Sequence, residues 1–339
     1  MKIAEFDYEL PPQLIAQSPA AVRDQSRLMV VERATGRIEH RGFRELPDIL
    51  TPDDFLVLNQ SRVIKARLLG RRVNGSPMEA FLLRELEDGV WEALLKPGRR
   101  IRTGQRVVFS PGELEATVLE CPPGAPRRLR FHCQGELGRW LEKLGHVPLP
   151  PYIQRDPGPS PEDSDRYQTV YAKTPGSVAA PTAGLHFTPA LLSRLPHGFV
   201  TLHVGYGTFK PVSVDDVAEH RMDPESYHVD PETAGAIRSR LEAGKRITAV
   251  GTTSTRVLEH LAARPGGVAA GEGLTDLFIY PGYRFRAVEA LITNFHLPRS
   301  TLLLLVSAFA GVALIRECYR LAIARKYRFY SYGDAMLIL

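Results

Sequence analysis

The sequence predicts an α/β protein, with a large α/β (barrel-like) domain interrupted by an inserted small all-β barrel domain. Three observations predict it. Apolar strand-like runs alternate with capped amphipathic helices on both sides of the chain's middle. Between about Val63 and Pro150, turn signals follow one another closely and the runs between them are short. Charge divides at the same places. The expected boundaries are residues 1–62 and 151–339 for the discontinuous α/β catalytic domain and 63–150 for the insertion.

In chain order, Phe55 to Leu58 reads as an apolar strand. In the insertion, Asn74-Gly75, Asp88-Gly89, Pro97-Gly98, Thr103-Gly104, Pro111-Gly112 and Pro123-Gly124 punctuate β-type runs at Ala66 to Leu69, Ala80 to Leu83, Val107 to Phe109 and Ala116 to Leu119. That spacing suits a small barrel. Asp156 to Asp165 is polar and proline-rich, the composition of a mobile loop. Thr188-Pro189 opens a helix with a cap and a proline at its first position, and Leu191, Leu192 and Leu195 give it an apolar face. Val200 to Val204 is a strand. Asp230-Pro231-Glu232 opens a second helix, with Ala234, Ile237 and Leu241 on one side and Gly244 at its end. Strands follow at Ile247 to Val250 and Ala290 to Thr293. The longest apolar run, Leu302 to Ile315, falls short of the about 20 residues that a bilayer needs. It reads as a buried helix with Ser300 or Thr301 as N-cap.

Composition sets the class. The chain has 339 residues, 44% apolar and 24% charged, enough to bury a core without disulfides or metal. Cys121, Cys133 and Cys318 form no CxxC, and their odd number suits a reducing compartment. MKIAEFDYEL has no apolar core of a signal peptide. The expectation is a cytoplasmic monomer without a membrane segment. Net charge is +5, and residues 65–150 carry all of it, with 15 Lys or Arg against 10 Asp or Glu. Arg99, Arg100, Arg102 and Arg106 cluster there, as do Arg127, Arg128 and Arg130. Such a cluster suits a phosphate backbone, and it also suits solvated loop arginines.

Familiar cofactor signatures are absent. Gly205-Tyr206-Gly207 lacks the third glycine of a dinucleotide fingerprint, and there is no P-loop and no HExxH. A doubly wound methyltransferase would need a glycine-rich first turn. His220, Asp223, Glu225 and His228 fit no standard metal spacing, and Pro224 breaks any shared helical face, so no metal is expected. Glu225 reads better as a lone acid or base.

Four segments carry candidate chemistry. Ala180 to Phe187, with Thr182, Gly184 and His186, leads into a helix N-terminus, which favours anionic groups; a tight loop with a structural histidine reads equally well. Thr252, Thr253, Ser254 and Arg256 follow a strand end, a pattern for an anionic or polyhydroxyl ligand or for a capped helix start. His203 faces away from Val200, Leu202 and Val204, toward a pocket or toward solvent. Asp276, Tyr280, Asn294 and His296 combine carboxylate, phenol, amide and imidazole, suited to holding a heterocycle and moving protons.

Read together, these segments resemble one family. Phe6-Asp7-Tyr8-Glu9-Leu10-Pro11, APTAGLHFT (Ala180 to Thr188), LHVGYGTF (Leu202 to Phe209), VGTTSTR (Val250 to Arg256), TDLFIYPGYRFRAVEALITNFHLP from Thr275, and YRFYSYGDAMLI (Tyr327 to Ile338) are similar, in this order, to motifs of the S-adenosylmethionine:tRNA ribosyltransferase-isomerases of queuosine biosynthesis. Three positions depart from the family pattern. Gln60 stands where an aspartate is usual, Asp223 where a histidine is usual, and Tyr206 where an alanine is usual.

The resemblance implies a reaction. The ribosyl group of S-adenosylmethionine moves to 7-aminomethyl-7-deazaguanine at the tRNA wobble position and is isomerised, giving epoxyqueuosine and releasing adenine and methionine. S-adenosylmethionine is then a consumed substrate, and neither metal nor redox cofactor is required. The sulfonium acidifies the C5′ protons, adenine must be protonated to leave, and the aminomethyl group must be neutral to attack, so a base, an acid and a dry pocket are needed. His186, His296, Glu225 and Asp276 are the expected proton handlers. Thr182, Gly184, His203, Thr252, Thr253, Ser254, Arg256, Tyr280 and Asn294 are expected around the substrate. Arg62, Arg99, Arg100 and Arg102 are expected on tRNA phosphates. Rival readings are a non-catalytic tRNA-binding accessory protein and an S-adenosylmethionine-dependent tRNA methyltransferase.

Overall fold

The computed structural model describes residues 1–339 apart from 99–100, 123–124, 156–157, 159 and 210–211, and apart from the side chains of 208 and 209. In chain order the strands are β1 (Arg27–Glu32), β2 (Arg37–Gly42), β3 (Phe55–Asn59), β4 (Ser61–Val63), β5 (Arg67–Arg72), β6 (Pro77–Glu87), β7 (Val90–Lys96), β8 (Arg106–Ser110), β9 (Leu114–Glu120) and β10 (Arg127–Cys133). They continue with β11 (Thr174–Ser177), β12 (His197–Leu202), β13 (Glu225–Val229), β14 (Ile247–Val250), β15 (Gly271–Thr275), β16 (Ala290–Asn294) and β17 (Ala335–Ile338). Nine of them form one mixed sheet in the order β15-β13-β12-β3-β14-β16-β17-β1-β2, and β5 to β10 close into a barrel.

The central strands are apolar on both faces because both faces are covered. Met29, Val31, Phe55 and Val57 pack into one core with the helices Pro231–Glu242, Gly251–Ala262, Thr301–Ala310 and Val312–Ala324. Their neighbours Leu28, Val30, Leu56 and Leu58 pack into the other, against Phe43, Leu46, Phe187 and Leu191. The period of two in a strand divides the residues this way. The barrel has its own core, centred on Leu68, Ala80, Leu82, Val107, Val118 and Leu129.

Strands β12, β3, β14 and β16 run parallel, so their carboxyl ends share one edge. The barrel leaves the sheet at that edge. β4 follows β3 directly and pairs with β11, which brings the chain back.

Several elements differ from the sequence expectation. The run Leu302 to Ile315 is two helices and not one. Gly311, at φ 89°, breaks it, and the axes bend by 115°. Of the two candidate caps, Ser300 accepts from the Leu303 N–H. No single helix among the described residues is long and apolar enough to cross a membrane. The helix after Thr188 stops at Leu192, although Leu195 is also buried. In the stretch 156–165, Asp163 begins a helical turn and is 5% exposed, held by Arg155 at 2.7 Å. A buried ion pair is incompatible with a freely mobile segment at that point. β12 ends at Leu202, one residue before His203.

At the amino ends of β3 and β14, far along the strands from the shared carboxyl edge, Asp54 is 1% exposed. It accepts from Arg246 Nη2 at 2.8 Å, Thr248 Oγ1 at 3.1 Å and Thr51 N at 2.8 Å. Burial acts to raise its pKa, but the hydrogen bonds from Arg246 and Thr51 outweigh burial and hold it below the usual carboxylate value. Its contribution to stability is therefore complete at neutral pH and fades as pH falls through the depressed folded-state value. Asp54→Asn is expected to lose about 2 kcal/mol at pH 7. Urea titrations check this: the gap from wild type must shrink below about pH 4, and a pH-independent gap would contradict the assignment.

Candidate active site

A cleft opens at the shared carboxyl edge. Its walls are the loop Ala179 to Ala183, the helix start Gly251-Thr252-Thr253, the strand end Thr293 to Leu297, and Tyr330-Ser331, with Tyr152 and Tyr167 alongside. Ligands of open α/β sheets bind at this kind of edge, where loops after several strands converge. A smaller pocket adjoins it through Thr252 and Thr253 and is closed by Arg256 and Leu277 to Ile279.

The sharp exit from β14 makes one wall. Gly251 sits at φ +88°, which a side chain disfavours, and this lets the helix Gly251–Ala262 begin immediately after the strand. No side chain caps that helix. Its first N–H groups and the positive end of its dipole therefore face the cleft. Thr253 Oγ1 is buried beside them with no partner among the described residues.

The opposite wall and the layer behind it hold two histidines in contrasting situations. His186 is 4% exposed, stacked on Phe43 at 4.9 Å, with Nδ1 2.7 Å from Ser26 Oγ and Nε2 3.2 Å from Asn294 Nδ2. Both ring nitrogens are thus engaged behind the cleft wall. His296 lies in the wall itself, with Nε2 2.6 Å from Thr293 Oγ1 and Nδ1 without a partner among the described residues. Its backbone is clamped from both sides: Tyr8 Oη donates to its carbonyl, and Tyr319 Oη accepts from its N–H at 2.8 Å. Burial lowers the pKa of each imidazole to about 3, and for His186 the nearby Arg23 and Arg328 add to the effect. Both rings are neutral at physiological pH.

Aromatic rings complete the cleft. Tyr152 and Tyr330 lie 4.8 Å apart, and Tyr152 Oη is 2.7 Å from Ser331 Oγ. Tyr330 has φ 70°, a left-handed conformation that costs a bulky residue about 1–3 kcal/mol. Hydrogen bonds hold it there: its N–H donates to Phe295 O, and its carbonyl accepts from Asn294 Nδ2 and Gly333 N.

The fold brings Thr182, Thr252, Thr253, Asn294 and His296 to the cleft wall. It places the other expected residues elsewhere. Glu225, 6% exposed, forms an ion pair with Arg256 and accepts from Gly205 N at 2.7 Å; Arg256 also donates to Leu277 O at 2.8 Å. Both groups are engaged with the protein and not with the main cleft. Gly184 is a packing glycine, since a Cβ there would lie 2.0 Å from Tyr171 Oη. Ser254 is wholly buried. His203 packs over Gly176, where a Cβ would come within 2.8 Å of its ring. Asp276 is exposed, with His260 as a charge neighbour. Tyr280 packs on Phe278. Arg62 and Arg102 are exposed, and Arg99 and Arg100 lie outside the described residues. Sequence reasoning missed Tyr152, Thr293, Tyr330 and Ser331 as wall residues. The polar aromatic run YRFYSYGD was the available signal for two of them.

The neutral state of both histidines is testable. Imidazole nitrogen shifts followed by NMR are expected to show no titration of His186 or His296 between pH 8 and about pH 5. Because both folded-state values lie below the unfolded one, stability falls as pH drops below about 6.5, where the unfolded chain takes up protons that the folded chain refuses. A folded-state midpoint near 6.5 for either ring would contradict the burial argument.

The chain is similar to known proteins over its whole length. The family model described as queuosine biosynthesis protein matches residues 3–338. The S-adenosylmethionine:tRNA ribosyltransferase-isomerase of Symbiobacterium thermophilum is 55% identical, with all of both chains covered. The protein of the same name from Desulfitobacterium hafniense is 51% identical over the full length of both. A crystal structure of S-adenosylmethionine tRNA ribosyltransferase from Thermotoga maritima, 42% identical, aligns over 99% of this chain and 100% of that one with a TM-score of 0.55. The chain therefore belongs to the queuosine biosynthesis protein family.

Proposed function

We propose that this protein is an S-adenosylmethionine:tRNA ribosyltransferase-isomerase. It transfers the ribosyl group of S-adenosylmethionine to 7-aminomethyl-7-deazaguanine at the tRNA wobble position and isomerises it to epoxyqueuosine, with release of adenine and methionine. Full-length identity above 50% with relatives of that name is the observation that carries the reading. S-adenosylmethionine is consumed, and the protein works without a resident cofactor.

The cleft supplies what the chemistry requires. The uncapped helix start at Gly251 offers N–H donors to the carboxylate of the methionyl end. Tyr152 and Tyr330 offer aromatic faces to a heterocycle. Of the two histidines, only His296 lines the cleft. Its neutral ring, with Nδ1 unpartnered among the described residues, is placed to accept a proton from C5′, which the sulfonium acidifies, and the imidazolium that results is placed to protonate the departing adenine. Glu225 and Arg256 position the loops around the cleft.

The barrel carries the basic surface for tRNA. Among the described residues, Arg67, Arg84, Arg106 and Arg128 pair with glutamates on neighbouring strands, and Arg130 of β10 pairs with Glu87 at the end of β6. Arg102 has no such pair and is exposed, as is Arg62 on β4. These two are assigned to phosphates.

Incubating the protein with S-adenosylmethionine and tRNA bearing the aminomethyl base is expected to release adenine and methionine in equal amounts. S-adenosylhomocysteine as product would make it a methyltransferase, and no turnover with intact tRNA binding would make it an accessory protein. For tRNA affinity, Arg62→Gln and Arg102→Gln are each expected to weaken binding and to reduce the slope of log K against log salt by about 1. Unchanged slopes would remove both residues from the interface.

A further inference from the structure

The hydrogen bonds behind the cleft have a direction that two backbone carbonyls impose. A carbonyl only accepts. Tyr330 O lies 3.3 Å from the Asn294 amide, so the atom facing it is Nδ2 and the amide orientation is set. Nδ2 then also donates to His186 Nε2, which must be the unprotonated nitrogen. The ring proton therefore sits on Nδ1 and is donated to Ser26 Oγ, whose own proton points to Arg23 O at 3.4 Å. On the other side, Asn294 Oδ1 carries no proton, so Thr182 Oγ1 must donate to it at 3.0 Å.

That last bond fixes the chemistry presented to the cleft. The Thr182 hydroxyl has one proton, and Asn294 takes it. Any polar group that meets this hydroxyl from the cleft must be a donor. The nearest wall has the opposite character: Ala183, the residue after Thr182, packs against the turn at Gly251, where helix N–H donors begin. The cleft is thus polar in a defined sense, with donors on the helix side and an acceptor at Thr182.

We infer that Thr182 is a specificity-determining residue whose hydroxyl accepts from an N–H or O–H of the substrate, and that His186 is a positioning residue whose Nε2 accepts from Asn294 and so supports the amide orientation that Tyr330 O sets. His186 carries no proton in the reaction. This rests on the proposed function for the identity of the two substrates. The donor belongs either to S-adenosylmethionine, through its ammonium, exocyclic amine or ribose hydroxyls, or to the aminomethyl group of the tRNA base.

Thr182→Val keeps the shape and removes the acceptor, while Thr182→Ser keeps it. The full-length protein is compared in equilibrium binding of S-adenosylmethionine and of the modified tRNA, and in turnover. Thr182→Val is expected to weaken one of the two substrates about tenfold, with Thr182→Ser close to wild type. The substrate that weakens identifies the source of the donor. His186→Gln retains an acceptor for Asn294, and it is expected to keep the pH profile of kcat and to lower kcat by less than about fivefold, whereas loss of a proton carrier costs at least about a hundredfold. Both affinities within twofold of wild type in Thr182→Val would overturn the assignment of Thr182. Loss of one limb of the pH profile in His186→Gln would overturn that of His186. If the wild type binds both substrates without turnover, the proposed function fails while the binding comparison still decides the inference on Thr182, and the positioning role is then read from binding by His186→Gln, which is expected to match wild type.

Discussion

The ion pair between Glu225 and Arg256 holds the carboxyl edge of the sheet together. Both side chains are almost wholly buried, so each needs its full set of partners. The set comes from four places: the start of β13, the second turn of the helix Gly251–Ala262, the chain after β15, and the backbone of Gly205. Satisfying the pair fixes the angle at which that helix leaves β14. The helix start faces the cleft because Arg256, further along, is tied to the carbonyls of Thr275 and Leu277. Glu225, which the sequence suggests as a lone acid or base, is bonded within the protein through its whole carboxylate. Gly205 and Arg256 occupy both carboxylate oxygens before any substrate arrives.

Burial has a second consequence at the same edge. The two buried histidines stay neutral here to well below the pH at which a free imidazole takes up a proton, and the polar atoms around them have directions set by their partners. His186 and His296 both lose their affinity for protons through desolvation, yet their surroundings separate them. His186 is bonded at both nitrogens and stacked on Phe43, whereas His296 keeps one nitrogen without a partner among the described residues. A dry pocket with preset dipoles suits a reaction whose intermediates must be kept from water. The strained Tyr330 belongs to this design. Its backbone is held left-handed by Phe295, Gly333 and Asn294, and Asn294 is the residue that also orients Thr182.

Much of the fold was legible because it depends on local pattern. Phe55 to Leu58, Ile247 to Val250 and Ala290 to Thr293 are apolar without alternation, as strands covered on both faces must be. The turn-rich middle gave the barrel. Edge strands were not legible: β15 is GEGLT, with two glycines and a glutamate, and pairing with β13 alone makes it a strand. The broken helix had a visible signal in Gly311, but a single glycine in an apolar run does not reveal a 115° bend. The site was legible in part for the same reason. Thr252, Thr253, Asn294 and His296 sit at strand ends, where function is expected. Glu225, His186 and Asp276 differ only in burial and partners, which are long-range properties that no spacing encodes.

The position of the barrel follows from chain connectivity and bears on how a large substrate meets a small cleft. β4 continues from β3 at the carboxyl edge and pairs with the returning β11, so the barrel is anchored there by two passes of chain. Phe81 of β6 packs edge-on to Tyr206 at 5.5 Å, in the loop beyond β12. Tyr206 thus makes an aromatic contact between barrel and sheet loop. Most barrel arginines with partners pair across strands, where exposed ion pairs contribute little to stability and yield readily to a phosphate. Under the proposed function, a basic unit fastened beside the cleft would let the polyanion and the small sulfonium substrate be held at one edge, by two different means. Phosphate attraction is long-ranged and tolerant of sequence. Recognition inside the cleft depends on hydrogen-bond direction and therefore carries the selectivity.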